Sequence, residues 1–436
     1  MKHNKQSILS KNGINYLIPF ILITSCFALW GFANDITNPM VKAFSKIFRM
    51  SATDGALVQV AFYGGYFAMA FPAAIFIRKY SYKAGILLGL SLYAFGAFLF
   101  FPAKLTGEYY PFLIAYFILT CGLSFLETSC NPYILSMGTE ETATRRLNLA
   151  QSFNPMGSLL GMYVAMNFIQ AKLNPMSSID RSQLCENEFQ TIKDSDLGVL
   201  IAPYLAIGVL ILIMLILIRI VKMPKKGEEN HHIDFFPTLK RIFSQTRYRE
   251  GVIAQFFYVG VQIMCWTFII QYGTRLFMSQ GMDEKSAEIL SQQYNIVAMV
   301  IFCISRFICT FILRYLKAGK LLMILAVFGA LFTLGTIFFQ NIYGLYCLVA
   351  ISACMSLMFP TIYGIALKGL GNDAKFGAAG LIMAIWGGSV LPPMQASIID
   401  LKEIGIFPAV NVSFILPFIC FLVIVSYGYR TIKKEW

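Results

Sequence analysis

The sequence predicts an all-α integral membrane protein with twelve transmembrane helices in two six-helix halves. The first observation is composition: 57% of the 436 residues are hydrophobic and 13% are charged, whereas soluble domains have roughly 45–50% and about 25%. The second is the recurrence of apolar stretches of about 20 residues, the length that crosses a bilayer. The third is one long polar gap that separates six of these stretches from the other six. A soluble protein of this length could not cover so much apolar surface, so the chain is predicted to lie in a bilayer.

Apolar runs between polar gaps give the positions of the spans. They lie at about 15–41, 53–77, 84–103, 110–136, 147–170, 197–221, 250–273, 286–313, 320–339, 343–367, 376–399 and 407–428. The longest polar gap covers residues 222–249. We therefore predict an N-terminal half over residues 1–222, a cytoplasmic linker over 223–249 and a C-terminal half over 250–436.

The distribution of Lys and Arg predicts the orientation. Loops on the side of the two termini hold about 24 of these residues, against about 10 on the opposite side, and the basic side of a membrane protein is cytoplasmic. Both termini and the linker are therefore predicted to be cytoplasmic, and the loop at 171–196 external. The short basic runs also account for the formal net charge of +13, so no nucleic-acid partner is expected.

Two short matches indicate a parallel repeat of the halves. Residues 78–90 and 314–324 both carry an arginine followed by Lys-Ala-Gly at the start of the next span. The sequence NPYI at Asn131–Ile134 of span 4 corresponds to FPTI at Phe359–Ile362 of span 10. Two six-span halves in parallel repeat are the architecture of major facilitator transporters, whose binding site lies between the halves at the membrane midplane. Chance similarity between apolar helices is the alternative explanation.

Glu127 is the first candidate for chemistry, because it lies inside the apolar run of span 4. A charged side chain near the centre of a span costs at least about 2.5–3.5 kcal/mol. Burial disfavours the ionised carboxylate, so such an acid can bind and release a proton near neutral pH. Asn131 lies four residues further along the same helical face, and Pro132 leaves a backbone carbonyl free nearby. The alternative is an acid satisfied by a neighbouring polar group, with no role in transport.

Asp35 is the second acidic candidate, at the end of span 1. It belongs to a polar cluster with Asn34, Thr37 and Asn38, and Asp35 and Asn38 share a helical face. Pro39 predicts an irregular backbone, which membrane proteins tolerate where it lines a cavity. The alternative is that this cluster is simply the outer end of the span.

Spans 5 and 7 carry amide and aromatic side chains at helical spacing. These are Asn148, Gln151 and Asn154 in span 5, and Gln255, Tyr258, Gln262 and Trp266 in span 7. Amides donate and accept hydrogen bonds without a charge, and aromatic rings offer apolar faces. This combination suits a sugar, which presents hydroxyl groups on its edge and C–H groups on its face.

Arg306 is the one intramembrane cation that could serve an anionic substrate. Snorkelling of its side chain towards the cytoplasmic end of span 8 is the alternative, and the residues alone leave both open. In span 11, the pair Pro392-Pro393 predicts a break in the helix. No nucleophile–base pair and no metal-ligand spacing stands out, so neither an enzyme nor a metal site is predicted.

Several motifs resemble those of the fucose–galactose–glucose–proton symporter family of the major facilitator superfamily. They are FLETSCNPYI at Phe125–Ile134, RLNLAQSFNPMG at Arg146–Gly157, AQFFYVGVQIMCW at Ala254–Trp266, FPTIYGIALKGLG at Phe359–Gly371 and SYKAG at Ser81–Gly85. The matches lie in both halves. The resemblance implies sugar uptake coupled to protons across the inner membrane of a bacterium.

The resemblance also implies roles for single residues. Glu127 matches the span 4 acid that the family uses in proton and sugar handling, and Asn154 matches an asparagine near the sugar. The family pattern has an acid at the position of Asn38, whereas this chain has Asp35 one turn earlier. The role of Asp35 therefore does not follow from the resemblance.

We predict a secondary transporter that imports a neutral monosaccharide, L-fucose or a related hexose, with protons by alternating access. Glu127 and Asp35 are the expected proton-coupling residues. The proton is the expected coupling ion and no cofactor is expected, while the carboxylates alone leave sodium coupling open. The expected sugar-binding residues are Asn38, Asn131, Gln151, Asn154, Gln255, Tyr258, Gln262 and Trp266. A monomer in the lipid bilayer is expected. The alternatives are a drug–proton antiporter of the same fold and a sugar sensor that does not transport.

Overall fold

A computed structural model describes residues 10–11, 14–37, 40–50, 57–176, 181, 183–223, 235–401, 403–404 and 407–435. These residues form two compact units. Unit 1 comprises Met1–Gly138 and Phe153–Ile233, and unit 2 comprises Thr139–Ser152 and Asp234–Trp436. The described residues are almost entirely helical, as the composition predicts.

Unit 1 contains spans 1 to 4, most of span 5, and span 6. Its helices are Leu17–Thr37, Met40–Ile47, Leu57–Lys79, Tyr82–Phe98, Phe100–Thr106, Tyr110–Ser136, Asn154–Val164, the π-helix Ala165–Gln170 and Glu186–Ile220. A hairpin pairs Ser10–Lys11 with Ile14–Asn15. Span 4 packs against spans 2 and 3, and span 1 packs against Asn154–Val164.

Unit 2 contains spans 7 to 12 together with the first part of span 5. Its helices are Glu140–Thr142, Ala143–Gln151, Phe235–Ser244, Thr246–Ser279, Glu284–Ile312, Ala318–Phe338, Ile342–Met355, Met358–Leu367, Gly371–Asp373, Ala374–Met383, Ala384–Trp386, Gly387–Ile399, Ala409–Val412 and Ile415–Lys433. A hairpin pairs Glu403–Ile404 with Phe407–Pro408. Span 7 packs against spans 8, 10, 11 and 12, and its buried apolar side chains lie in the core of the unit.

Eleven of the twelve spans are helices long and apolar enough to cross a membrane by themselves, among the residues that the structure describes. The twelfth, span 5, is built from the shorter segments Ala143–Gln151, Asn154–Val164 and Ala165–Gln170. Pro155 contributes to the first interruption, because proline has no N–H to donate to the carbonyl four residues earlier. The prediction of twelve transmembrane helices is confirmed.

The expected break at Pro392-Pro393 is wrong. Both prolines lie inside the continuous helix Gly387–Ile399, and the irregular turn of span 11 is the 3₁₀ segment Ala384–Trp386 that precedes it. The two prolines lie in the second turn of the helix that begins after that segment. The helix continues through both prolines although neither can donate to the carbonyl four residues earlier.

Candidate functional site

Glu127 lies on a stretch of span 4 that is surrounded by protein. Every residue from Leu119 to Ile134 is buried, although a helix that met lipid would expose part of each turn. The backbones of spans 3 and 4 touch through glycines: a Cβ on Gly96 would lie 2.4 Å from the backbone nitrogen of Leu119, and one on Gly122 would lie 2.5 Å from the Gly89 carbonyl oxygen. The carboxyl group is thus held away from lipid, and the Glu127 side chain is 6% exposed.

The Glu127 carboxyl group interacts with the Tyr66 hydroxyl of span 2. The two groups lie within interaction range, but the hydroxyl makes no hydrogen bond of ordinary geometry. Ser124 fixes this part of span 2 by donating to the Tyr66 carbonyl oxygen at 3.1 Å. Among the described residues, no Lys or Arg forms an ion pair with Glu127. An acid without a cationic partner in such a place favours its protonated form.

Asn131 is fully buried beside Glu127. Its Nδ2 donates to the Glu127 backbone carbonyl oxygen at 3.0 Å, a bond that follows from the four-residue spacing on one helix. The helix continues through Pro132 to Ser136. In this structure the Asn131 amide therefore supports the backbone that carries Glu127.

Asn154 begins the second segment of span 5, where that segment touches span 1. Its Nδ2 donates to the Phe27 carbonyl oxygen at 3.2 Å. The two backbones are close enough that a Cβ on Gly31 would lie 2.1 Å from the Asn154 carbonyl oxygen, and one on Gly157 would lie 1.8 Å from the Ala28 carbonyl oxygen. The glycines thus allow the two backbones to touch beside the half-buried Asn154 side chain.

Asp35 lies two turns beyond Ala28 in the same helix of span 1 and is half-buried. Its carboxylate interacts electrostatically with the Tyr63 side chain of span 2. The helix is regular through Thr37. Asn38 lies outside the described residues, so its predicted role stays a prediction.

The four predicted residues of span 7 lie on one side of its helix. Two of them, Tyr258 and Trp266, donate hydrogen bonds to span 10. Tyr258 donates to the Met355 carbonyl oxygen at 3.1 Å, and its ring centroid is 6.2 Å from that of Phe359. Gln255 is 0% exposed, yet neither its Nε2 nor its Oε1 has a hydrogen-bond partner. A buried amide without partners costs about 1–3 kcal/mol per group. Gln262 is half-buried.

Trp266 continues the same side of span 7. Its Nε1 donates to the Ser352 hydroxyl of span 10 at 3.2 Å. The edge-to-face contact with Phe302 of span 8 has a centroid distance of 4.9 Å and an interplanar angle of 83°. The indole is half-buried, so its orientation is fixed while part of its surface stays uncovered.

Gln151 and Arg306 meet in unit 2. The Gln151 side chain is 5% exposed, and its backbone carbonyl oxygen accepts a hydrogen bond from Arg306 Nη1 at 3.0 Å. Arg306 Nε donates to the Ser356 carbonyl oxygen. Arg306 is 3% exposed, so its side chain does not snorkel to water.

The structure thus brings the predicted residues together in two sets. Unit 1 holds Asp35, Glu127, Asn131 and Asn154, and unit 2 holds Gln151, Gln255, Tyr258, Gln262 and Trp266. Sequence reasoning missed Tyr66, Phe302 and Ser352, the neighbours of Glu127 and Trp266. An aromatic or hydroxyl residue in an apolar span carries no local signal of such a contact.

Comparison with known proteins gives full-length matches. The family model described as the Major Facilitator Superfamily matches residues 23–393. The chain is 53% identical to the L-fucose-proton symporter of Haemophilus influenzae over 424 residues, which are 96% of this chain and 97% of that protein. It is 34% identical to the L-fucose-proton symporter of Escherichia coli, over 94% of this chain and 92% of that one. It is 30% identical to a glucose/galactose transporter of Brucella abortus, over 95% and 94% of the two chains.

Solved structures give the same result. A crystal structure of the E. coli fucose:proton symporter is 32% identical to this chain, with a TM-score of 0.85 over 95% of this chain and 98% of that one. A proton:xylose symporter is 12% identical, with a TM-score of 0.65 over 94% of each chain, so it supports the fold alone.

Proposed function

The chain belongs to the major facilitator superfamily, and we propose that it imports a neutral monosaccharide, L-fucose or a closely related hexose, together with protons by alternating access. The observation that carries this proposal is the 53% identity, over nearly the whole of both chains, to a protein named an L-fucose-proton symporter. The relatives reported above are transporters, and this chain is a transporter and not an enzyme.

Glu127 is the proposed proton-coupling residue. It is an acid in the middle of a protein-enclosed stretch of span 4, and no described cation pairs with it. With a proton bound, the residue is neutral and compatible with closure of the site around the sugar. Loss of the proton to the cytoplasm then returns the empty transporter to its starting state. Coupling requires that proton and sugar favour the same state, because a ligand shifts an equilibrium only by its differential affinity. Asp35 is proposed as a second, weaker contributor.

The amide and aromatic side chains predicted from the sequence are the proposed sugar-binding residues. Gln262 and Trp266 on span 7 and Asn154 on span 5 are half-buried, so part of each side chain stays accessible. The Trp266 ring offers an apolar face to the C–H side of a hexose, and the amides offer donors and acceptors to its hydroxyls. Gln151, Gln255, Tyr258 and Asn131 are buried, so for them the proposal requires exposure in another state of the cycle.

The remaining parts of the proposal concern location and assembly. The chain is a multi-pass membrane protein, and we propose the bacterial inner membrane with both termini in the cytoplasm. We further propose that it works as a monomer and needs no cofactor besides the coupling proton.

Uptake by purified protein in proteoliposomes tests the function. A panel of labelled hexoses that includes L-fucose, D-galactose and D-glucose is supplied outside, and the pH gradient and the sodium gradient are varied separately. Accumulation of one hexose that follows the pH gradient alone is the expected result. Accumulation that follows sodium, or no accumulation of any hexose, would refute the proposal. Empty liposomes are the control.

A further inference from the structure

Arg306 binds the two backbone carbonyls that prolines leave without a partner. In a regular helix the Gln151 carbonyl would accept from residue 155 and the Ser356 carbonyl from residue 360, but both of those residues are proline and have no N–H. The Arg306 guanidinium donates to both carbonyl oxygens. Each carbonyl stands at the end of a helix, since Ala143–Gln151 and Ile342–Met355 both end there. A cation at the carboxyl end of a helix is also favoured by the helix dipole.

This contact joins span 5 to spans 8 and 10. Residues Ala143–Gln151 pack against Met358–Leu367 and against span 8. Asn148 Nδ2 donates to the Thr361 hydroxyl at 3.1 Å, and a Cβ on Gly364 would lie 2.9 Å from the Thr144 hydroxyl. Of the side chains named for this contact, Arg306 is the charged one. It makes no ion pair with an acid of the described residues. The positive charge of Arg306 is therefore balanced by the dipoles of the two carbonyl groups that it contacts. The Gln151 carbonyl stays within reach only while the segment Ala143–Gln151 stays packed against spans 8 and 10.

Aromatic contacts connect Arg306 to a proposed sugar-binding residue. The Arg306 guanidinium carbon lies 4.6 Å from the centroid of the Phe302 ring. The same ring contacts the Trp266 ring, with a centroid distance of 4.9 Å. A shift of the indole on sugar binding would therefore move the ring that supports the guanidinium, because packed side chains transmit displacements.

We propose that Arg306 is a positioning residue that clamps residues 139–152 onto spans 8 and 10, and that the sugar weakens this clamp through Trp266 and Phe302. The second part rests on the proposed function. In the transport cycle, release of the clamp accompanies opening of the site towards the cytoplasm. Loss of the clamp then changes the rate of transport more than the affinity for the sugar.

A native cysteine reports the state of the clamp. Cys309 is 4% exposed, and its sulfur lies 3.7 Å from the Ser305 hydroxyl and 4.0 Å from the Ser356 hydroxyl. Cys420 of span 12 is 2% exposed and serves as an internal control for global unfolding, whereas the exposed Cys185 shows that the reagent is active. Purified protein is treated with N-ethylmaleimide, and the modification rate of each cysteine is measured by mass spectrometry.

Without sugar, the Arg306→Gln variant is expected to raise the Cys309 rate by at least about tenfold, because two hydrogen bonds from a charged donor are lost. Arg306→Lys keeps the charge but not the planar fork that spans two carbonyls, so an intermediate rate is expected. Arg314→Gln removes an exposed arginine near the end of span 8 and should match the wild type. An unchanged Cys309 rate in both Arg306 variants overturns the clamp. If Arg306→Gln also raises the Cys420 rate, that variant has unfolded, and the Cys309 rate of Arg306→Lys is compared with that of the wild type instead.

The coupling is tested by adding the sugar that calorimetry shows to bind. In the wild type, saturating sugar is expected to raise the modification rate of Cys309. In Phe302→Leu the sugar should no longer raise this rate, while the affinity for the sugar should stay within threefold of the wild-type value. Sugar that binds the wild type without changing the Cys309 rate overturns the coupling. If no hexose of the panel binds, the proposed function fails, while the comparison of Arg306 variants without sugar still decides the clamp.

Discussion

Replacement of Glu127 by Gln separates proton coupling from sugar binding. The amide keeps the shape and the hydrogen-bonding capacity of the protonated acid but cannot release a proton. We therefore expect Glu127→Gln to bind the sugar and to exchange it across the membrane down its gradient. It should fail to accumulate the sugar against a gradient.

The size of the effect follows from the driving force and from the position of the residue. One charge moved across 100 mV supplies about 2.3 kcal/mol, and each 1.4 kcal/mol is a factor of ten. One proton per sugar then limits accumulation by the wild type to about 50-fold, whereas the variant should stop at equal concentrations. The side chain is 6% exposed without a described cationic partner, so the ionised acid costs at least about 2.5–3.5 kcal/mol there. Because the amide avoids this cost, the variant should be no less stable than the wild type.

The assay is paired counterflow and gradient-driven uptake in proteoliposomes at 100 mV. Glu188→Gln, which neutralises an exposed acid at the start of span 6, is the matched control and should accumulate sugar like the wild type. Glu127→Ala should also weaken exchange, because the hydrogen-bonding group is lost. Wild-type accumulation in Glu127→Gln would falsify the assignment of Glu127 as the coupling acid.

Three further predictions concern the second acid, the amides and the topology. Asp35→Asn should reduce accumulation in the same assay less than Glu127→Gln does, and an equal loss would make Asp35 an equal partner. Asn154→Ala and Gln262→Ala should each weaken sugar binding, measured by calorimetry, by about twofold to tenfold, the value of one hydrogen bond. An unchanged melting temperature is the folding check, and unchanged affinity in both variants would mean that the sugar binds elsewhere. A protease site inserted in the 222–249 loop of intact cells should be protected from external protease and one in the 171–196 loop should be cleaved, and the reverse pattern would invert the topology.

The fold could be predicted from the sequence because its signals are local. Span positions follow from runs of apolar residues, and the polar gap at 222–249 separates two sets of six. The interruption of span 5 near Pro155 follows partly from the missing N–H of proline. The course of span 11 does not, because Pro392-Pro393 lies in a regular helix and the irregular turn comes before it. A proline tells which hydrogen bond is lost, but tertiary packing decides where the backbone bends.

The candidate site could be predicted less completely. Glu127 stands out because a carboxylate is rare inside an apolar run, whereas its neighbour Tyr66 has no such signal. The spacing of the amides places Gln255 and Gln262 on one side of span 7. It does not predict that Gln255 is fully buried whereas Gln262 is half-buried. That difference depends on which helices cover each turn of span 7.

Arg306 illustrates both the reach and the limit of sequence reasoning. The orphan carbonyls of Gln151 and Ser356 can be derived from Pro155 and Pro360 without a structure, since each proline removes the donor four residues later. A buried carbonyl without a partner must find another donor, so the sequence requires two donors from elsewhere in the fold. Arg306, an intramembrane arginine whose planar guanidinium carries five N–H groups, can supply both at once. That the two carbonyls lie close enough for a single side chain depends on the packing of span 5 against spans 8 and 10, which no local pattern encodes.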